Sequence, residues 1–367
     1  MLSARRRILG LAFGLTLALG AGVPVADAAR AGQFTGSPGW RLVKTFSDCH
    51  EGYASSVAVT GPRNAWVTGV GICLASTVLI AHWDGRSWHE LQPPAGFDQA
   101  GGNAVATLSG SYSWIFTART VNTMDEDVAL LRQHGRWRLF RLANRSVINS
   151  AVAFSRSDAW AFGSIGPSAY ALRFNGRAWR RMPIPVNPIA AAEPAPQNIW
   201  AAGPLASAAH LPSLRQPFAL AHRTTRWRTI RFPAPPPGYG YRGASVVADG
   251  SDGAFVATGL RAQGPPFTDV PELLHWTGRS WKHVALPSQV QELGPLAHDG
   301  RGGLWIVSDA GILHRSTAGT WSTATVPADV GLTAIRLIQG TTSLWAPGSI
   351  GSGDGGDSFP VLLKYGP

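Results

Sequence analysis

The chain contains the segment Asn64-Ala65-Trp66-Val67-Thr68-Gly69, in which a small polar residue and a tryptophan stand shortly before a glycine. The same pattern recurs as Asp158-Ala159-Trp160-Ala161-Phe162-Gly163 and as Asn198-Ile199-Trp200-Ala201-Ala202-Gly203. Weaker copies centre on Trp114, Trp305 and Trp345, and a further copy has Phe255 in place of the tryptophan. The unit recurs about every 40 to 55 residues. Such a period indicates a repeat protein and is typical of propeller blades.

A second pattern follows the first within each unit: an apolar pair, a turn with Gly and Arg, and another tryptophan. It reads Leu79-Ile80-Ala81-His82-Trp83-Asp84-Gly85-Arg86-Ser87-Trp88 and Leu273-Leu274-His275-Trp276-Thr277-Gly278-Arg279-Ser280-Trp281, with equivalent tryptophans at Trp137, Trp179, Trp227 and Trp321. Short runs bounded by turn residues predict strands, and the unit reads as four of them, A to D. A four-stranded sheet repeated about an axis is a propeller blade.

The two ends of the repeat region predict how the ring closes. Gly39 to Lys44 reads as a D strand without a unit of its own, and the last unit stops after a C strand at Val361 to Gly366. The N-terminal strand can therefore complete the last blade, which removes the open sheet edges at the seam. We predict an all-β chain whose residues 39–367 form one β-propeller of seven four-stranded blades. Six or eight blades stay open because the units near Trp114 and Trp345 are degenerate.

These two patterns resemble those of secreted actinobacterial β-propellers related to the kelch and galactose-oxidase-type superfamily. The resemblance covers residues 40 to 366, and it implies a binding role as an expectation only, because propeller folds host unrelated functions. A copper site of the galactose oxidase type would need a cysteine-linked tyrosine, a second tyrosine and two histidines. No such set stands out, so we predict no cofactor and no metal, and we assign no catalytic residue.

The N terminus predicts export. Arg5, Arg6 and Arg7 precede an apolar run, and Ala26-Asp27-Ala28 offers a cleavage site, so residues 1–28 read as a signal peptide and 29–38 as a short segment before the ring. The expected location is secreted or cell-wall associated, by general secretory or twin-arginine export, without a stable transmembrane anchor. The only cysteines, Cys49 and Cys73, are predicted to form a disulfide, with two free thiols as the alternative.

The net charge of +11 favours anionic partners, although no motif for specific nucleic-acid recognition is present. Arginines fall in five predicted C–D hairpins, where they form a basic rim that either binds anions or keeps sheet edges apart. They are Arg86, Arg136, Arg177, Arg226 and Arg279. Histidines recur on C strands at His82, His222, His275 and His314, and we interpret them as scaffold, because one position per blade puts them far apart. The repeated tryptophans read as core; Trp83 and Trp276, absent from most blades, are better candidates for ligand contact.

Variation between blades is the better guide to function, because the scaffold repeats whereas a binding site does not. The unequal segments are B–C and D–A connections, which open on one side of a propeller; we call this side the loop face, and the side of the A–B and C–D turns the tight-turn face. The candidate ligand-binding residues there are Arg119, Asp125, Glu126, Asp127, His210, Tyr239, Tyr241, Arg242, Arg261, Asp269 and Glu272.

Three hypotheses for the function follow. The first is a non-catalytic exported propeller that binds an extracellular or cell-wall polymer, anionic or not, or a protein through the loop face. The second is a polysaccharide hydrolase or lyase, which would need two converging carboxylates, with Asp125, Glu126, Asp127, Asp269 and Glu272 as the available ones. The third is a structural wall-associated scaffold. The sequence does not identify the ligand or the oligomeric state.

Overall fold

The computed structural model describes residues 39–46, 51–72, 76–97, 102–121, 124–142, 146–165, 168–195, 198–208, 210–327, 329–351 and 357–367. These residues form seven antiparallel sheets arranged in a ring, which is a seven-bladed β-propeller. The predicted fold class and blade number are therefore confirmed. Within these ranges there is no helix of the length and apolar character that crossing a membrane requires.

Six blades are complete within one stretch of chain, with strands A to D running from the axis outward. The bounds in blades 1 to 3 are β2 (Glu51–Gly61), β3 (Asn64–Ile72), β4 (Ser76–Trp83) and β5 (Trp88–Glu90); β6 (Gly102–Ser109), β7 (Tyr112–Val121), β8 (Met124–Gln133) and β9 (Arg136–Arg141); β10 (Ser146–Ser155), β11 (Asp158–Ile165), β12 (Ser168–Phe174) and β13 (Trp179–Met182). Those in blades 4 to 6 are β14 (Ala190–Ala195), β15 (Asn198–Pro204), β16 (Phe218–Arg223) and β17 (Trp227–Arg231); β18 (Tyr239–Asp249), β19 (Gly253–Ala262), β20 (Asp269–Trp276) and β21 (Trp281–Val284); β22 (Leu293–His298), β23 (Leu304–Ser308), β24 (Gly311–Arg315) and β25 (Trp321–Ala324).

The seventh blade joins the two ends of the ring. Its inner strand is split into β26 (Val330–Leu332) and β27 (Arg336–Leu337), followed by β28 (Leu344–Gly351), β29 (Ser358–Tyr365) and, as the outer strand, β1 (Trp40–Thr45). β1 pairs antiparallel with β29, so Trp40 lies opposite Tyr365 and Thr45 opposite Val361. The predicted closure by the N-terminal strand is confirmed, including six whole blades and one shared blade.

Large aromatic side chains fill the space between blades. The B-strand residues Trp66, Trp114, Trp160 and Trp200 are each at most 1% exposed, which makes them the largest fully buried side chains of the described chain. D-strand tryptophans tie neighbouring blades together at the outside: the Nε1 of Trp321, for example, donates to the Ala285 carbonyl of the preceding blade at 2.9 Å. Buried aromatics contribute large apolar areas, so this repeat stabilises the ring.

The two faces of the ring differ in their connections. Most A–B turns are as short as Pro62-Arg63, whereas on the loop face the B–C connection of blade 4 runs over 205–217 and that of blade 5 over 263–268. The blade 4 connection also carries two short 3-10 turns, Ala206–Ala208 and Ser213–Arg215. The longest B–C connection therefore lies on the loop face in blade 4, and it is irregular.

Candidate binding face

Exposed apolar side chains are concentrated on the loop face. Of the large hydrophobic side chains exposed among the described residues, six lie at loop-face ends of strands or in loop-face connections: Tyr53, Val121, Ile189, Leu211, Phe267 and Val270. The other two, Leu42 and Leu139, lie on outer strands. Because exposed apolar groups that cluster often mark interaction sites, this distribution points to the loop face.

Four partly or fully exposed residues of blades 4 and 5 form what we call the loop-face patch: Leu211, Tyr239, Phe267 and Val270. Phe267 is 65% exposed, the largest value among the exposed hydrophobic side chains. Gln263 joins the connections of the two blades, because its Nε2 donates to the carbonyls of Leu214 at 3.2 Å and Tyr239 at 3.0 Å. Gly240 also permits this joining, since a Cβ there would collide with the Leu214 carbonyl oxygen.

A charged network supports the patch from within blade 5. Arg261 binds Asp269 through two hydrogen bonds of 2.8 Å, and Arg242 reaches Asp269 at 3.1 Å and Glu292 of the following connection at 3.2 Å. The Arg261 hydrogen bonds and the nearby Arg242 charge hold the pKa of Asp269 below its usual range. Bidentate pairs of this kind fix geometry, so these charges hold the 263–268 connection in place.

Of two further candidates in blade 5, Tyr241 is buried and Glu272 is partly buried. Tyr241 is 3% exposed, and its hydroxyl donates to the Pro233 carbonyl at 3.2 Å, so it cannot face a large partner directly. Burial raises the pKa of Glu272, and the charge of His283 only partly offsets this. The Glu272 Oε2 atom is buried without a hydrogen-bond partner.

The candidate carboxylates do not converge in pairs along their strands. Asp269 and Glu272 stand three residues apart on β20, so their side chains point to opposite sides of the blade. Glu126 and Asp127 are neighbours on β8 and likewise point to opposite sides. The side chain of Asp125 lies outside the described residues.

The blade 2 candidates form a separate cluster, three blades away from blade 5. Arg119 binds Glu126 at 2.6 Å and 2.8 Å, and Arg141 reaches the other oxygen of the same carboxylate at 3.0 Å. Asp127 is 4% exposed. His210 is exposed in the blade 4 connection, next to Leu211 of the loop-face patch. The structure thus gathers the blade 4 and blade 5 candidates and leaves the blade 2 candidates apart.

The repeated histidines form a scaffold on the tight-turn face, as predicted. Each packs against the aromatic residue opposite it on the B strand, stacked in blades 4, 5 and 6 and tilted in blade 1. Each also hydrogen-bonds a carboxylate or amide at the A–B turn. The pairs are His82 with Asn64 at 3.0 Å, His222 with Asn198 at 2.9 Å, His275 with Asp249 at 2.7 Å and His314 with Asp299 at 2.9 Å. No three His, Cys, Asp or Glu side chains are grouped to hold a metal ion in the part of the chain that the structure describes.

Two predictions concern residues outside the described ranges. Cys49 and Cys73 both lie there, so their disulfide stays a prediction. The same holds for the predicted signal peptide, residues 1–28.

The five C–D hairpin arginines, Arg86, Arg136, Arg177, Arg226 and Arg279, are all exposed on the tight-turn face. Arg63, Arg156 and Arg301 extend the same face from A–B turns and are exposed as well. None of these eight is in a salt bridge within the described residues. The basic rim expected from the sequence is therefore present as an arrangement of unpaired charges.

The comparisons identify the fold and leave the family open. No family model matches the chain, and no curated protein matches it. Among solved structures, the chain is similar to YCF48 bound to D1 peptide, with 12% identity, 90% of this chain and 97% of that one covered, and a TM-score of 0.60. It is also similar to virginiamycin B lyase from Staphylococcus aureus, with 12% identity, coverage of 88% and 99%, and a TM-score of 0.56.

A third similar structure is the GH93 α-L-arabinofuranosidase of Fusarium graminearum with arabinobiose, at 10% identity, coverage of 89% and 96%, and a TM-score of 0.50. None of the three is a kelch or galactose-oxidase-like protein, so the resemblance drawn from the sequence is supported only as far as the β-propeller fold. Identities this low show the fold alone, and these three neighbours are a protein solved with a bound peptide, a lyase and an arabinofuranosidase. The chain is thus, by its own structure and by its neighbours, a seven-bladed β-propeller protein.

Proposed function

We propose that this chain is an exported binding propeller that recognises a protein partner through its loop face, with the loop-face patch at the centre of the contact. The observation that carries the proposal is the exposure of apolar side chains on this face, above all Phe267 at 65%. Export itself rests on the N-terminal sequence.

The chemistry of the patch fits a protein better than a sugar polymer. The patch is apolar at Phe267 and Val270, and the charges next to it, Arg261 and Asp269, already neutralise each other. Protein interfaces combine an apolar, charge-poor centre with a polar rim. Glu292 and His210, both exposed, supply polar groups at the edge. One structural neighbour, YCF48, was solved bound to D1 peptide, which is consistent with peptide binding by a propeller of this fold.

The alternative, a polysaccharide hydrolase or lyase, has one feature in its favour. Glu272 is partly buried and has a raised pKa, as a general acid requires. Hydrolysis needs a second carboxylate about 5 to 9 Å away, however, and Asp269 points to the opposite side of the blade. The geometry therefore gives the enzyme hypothesis less support than the binding hypothesis.

The test is a binding and turnover screen of residues 29–367. The purified chain is titrated against an overlapping peptide array, cell-wall polysaccharides and DNA, at low and at moderate salt. The patch variant carries Phe267→Ser and Val270→Ser, and the matched control carries Leu42→Ser and Leu139→Ser, two exposed apolar side chains on outer strands.

The proposal predicts selective peptide binding that survives moderate salt. The affinity should fall by more than about tenfold in the patch variant and by less than about twofold in the control. Equal losses in both variants would contradict the placement of the site. Product release from a polysaccharide, abolished by Glu272→Gln, would replace the proposal by the enzyme hypothesis.

A further inference from the structure

An open cleft of about 760 Å³ lies on the tight-turn face, on the side of the ring opposite the loop-face patch. It is formed where blades 6, 7 and 1 meet, at the seam where the ring closes. We call it the seam cleft; its walls include Pro62, Trp83, Arg301, Thr342, Trp345 and Lys364. Its volume falls within the range of about 300 to 1,000 Å³ that is usual for ligand-binding clefts.

One wall of the seam cleft is a fixed aromatic ring. Trp83 is only partly buried, and its Nε1 donates to the Pro62 carbonyl at 2.9 Å. Behind it, the buried ring of Trp345 and the partly buried ring of Trp88 pack against it at centroid distances of 5.9 and 5.8 Å. Since the ring is already held in one orientation, it can stack on a flat apolar ligand surface with little loss of side-chain entropy.

The position of Trp83 on the C strand is not occupied by tryptophan in most blades. In the register of the sheets, the equivalent residues are Arg132, Phe174, Arg223, Trp276, Arg315 and Tyr365. Trp276, the other tryptophan at this position, packs on Trp281 at 5.5 Å and does not line the seam cleft. A departure from the repeat that coincides with a cleft is a mark of function rather than of scaffold.

The other wall carries two basic side chains. Lys364 is partly buried, with its Nζ 5.6 Å from the Trp345 ring centroid, and it donates to the Pro367 carbonyl oxygen. Arg301 is exposed at the rim. No acidic side chain lines the cleft. Two turn carboxylates near it already have partners: Asp299 accepts from His314 and two backbone amides, and Asp84, which follows Trp83, accepts from two backbone amides and pairs with His89.

Burial, together with the neighbouring charge of Arg41, lowers the pKa of Lys364. An anion placed beside the ammonium group would offset this cost, because it stabilises the charged form. The cleft is thus better suited to a negatively charged ligand than to a neutral one.

The surroundings extend the positive charge beyond the cleft. Arg63 and Arg86, both exposed, lie on the tight turns of blade 1 beside Pro62 and Trp83. A ligand with a single charge would leave these arginines unused, whereas a polymer with a charge on each unit would contact them as it leaves the cleft. Exposed arginines of this kind attract polyanions at long range.

We propose that the seam cleft binds an acidic sugar unit of an anionic polysaccharide. Arg301 and Lys364 bind its carboxylate, the face of Trp83 stacks on the sugar ring, and the Thr342 side chain lies beside the ring hydroxyls. The neighbouring units of the polymer then run over the arginines of blade 1. This site is independent of the loop-face patch, so the two are tested separately.

The test uses tetragalacturonate as the acidic probe, maltotetraose as a neutral sugar of the same length and linear tetraphosphate as an anion without sugar rings. Binding to residues 29–367 is measured by calorimetry at low and moderate salt. The site variant carries Arg301→Gln and Lys364→Gln; the matched control, Arg136→Gln and Arg177→Gln, loses the same charge from exposed hairpins of blades 2 and 3. Thermal unfolding checks that each variant is folded.

The proposal predicts saturable binding of tetragalacturonate that falls by more than about tenfold in the site variant and by less than about twofold in the control. Trp83→Leu keeps an apolar side chain, and it is expected to weaken tetragalacturonate severalfold while leaving tetraphosphate unchanged. Phe267→Ser leaves all three probes unaffected.

Three results would overturn the proposal. They are no saturable tetragalacturonate binding, equal losses in the site variant and the control, or binding of maltotetraose or tetraphosphate as strong as that of tetragalacturonate. None of them bears on the loop-face patch, for which the peptide screen is the separate test.

Discussion

The tight-turn face and the loop face are built from the same strands but follow different rules. On the tight-turn face, a turn carboxylate or amide, a B-strand aromatic residue and a C-strand histidine recur, as in Asp299, Trp305 and His314. Among the described residues of the loop face no such set recurs, and blades 4 and 5 carry four of the six exposed large apolar side chains there. The comparison teaches that repetition in this chain marks scaffold, and that function is to be sought where repetition fails.

Two carboxyl groups show the same contrast in their titration. Burial raises the pKa of Asp299 on the tight-turn face, but hydrogen bonds from His314 and from the amides of Arg301 and Gly303 outweigh it, and the net pKa lies below its usual value. For Glu272, on the loop-face half of blade 5, burial prevails and the pKa lies above its usual value. Both carboxylate oxygens of Asp299 therefore have hydrogen-bond partners, whereas Oε2 of Glu272 has none.

The largest expected effect is on the scaffold. Trp200 is 0% exposed and stacks on His222 at 3.8 Å, so Trp200→Ala leaves a large cavity between blades. We expect a loss of about 4 kcal/mol in the free energy of unfolding, measured by urea denaturation. A loss below about 1 kcal/mol would show that the repeat does not carry the stability that we assign to it.

The next largest expected effect depends on pH and concerns Asp299, the carboxyl group of the scaffold in blade 6. Asp299→Ala removes an acceptor of three hydrogen bonds, and at pH 7 we expect a loss of about 2 kcal/mol in the free energy of unfolding. Because the folded pKa of Asp299 is lowered, its contribution is fully present above the unfolded value of 3.8 and is lost as the pH falls through the folded value. The difference between wild type and variant should therefore shrink below pH 4; a constant difference would contradict the assignment.

Glu272→Gln should have a smaller effect of the opposite sign. With a folded pKa above the unfolded value of 4.5, the wild type loses stability as the pH rises through the folded value, because the buried group must ionise. The variant avoids this cost, so it should be slightly more stable than wild type at pH 7 and equal to it below pH 4. Thermal unfolding over this pH range measures both; a variant less stable at pH 7 would mean that the ionised carboxylate is satisfied.

The smallest expected effect on stability is at the patch itself. Phe267→Ser removes a side chain that is 65% exposed, so the free energy of unfolding should change by less than about 0.5 kcal/mol. Urea denaturation beside the Leu139→Ser control measures it. A loss above about 2 kcal/mol would place Phe267 among the scaffold residues and remove the basis for the patch.

The fold was predictable because its determinants repeat locally. In the sequence, B strands are indicated by Trp66, Trp160 and Trp200. The incomplete units at the two termini indicate how β1 and β29 pair. The residues stand in strands that cannot shift by one position without exposing these tryptophans. The sequence pattern and the packing of the tryptophans therefore predict the same strand positions.

The candidate site was predictable only in part. The loop face followed from the connectivity of a blade, and Arg242, Arg261 and Asp269 do meet there. The burial of Tyr241 did not follow, since it depends on the packing of its ring against Phe218 and Phe232. Phe267 was missed because a phenylalanine after two prolines is compatible with either a buried or an exposed loop, and only its surroundings decide between them.

The most direct test of the loop-face proposal is the affinity of three proteins, wild type, Phe267→Ser/Val270→Ser and Leu42→Ser/Leu139→Ser, for the peptide that binds wild type most tightly in the array. We predict that the patch variant binds more than about tenfold more weakly while the control stays within about twofold of wild type. Equal affinity in all three proteins would contradict the proposal that this propeller binds its partner through the loop face of blades 4 and 5.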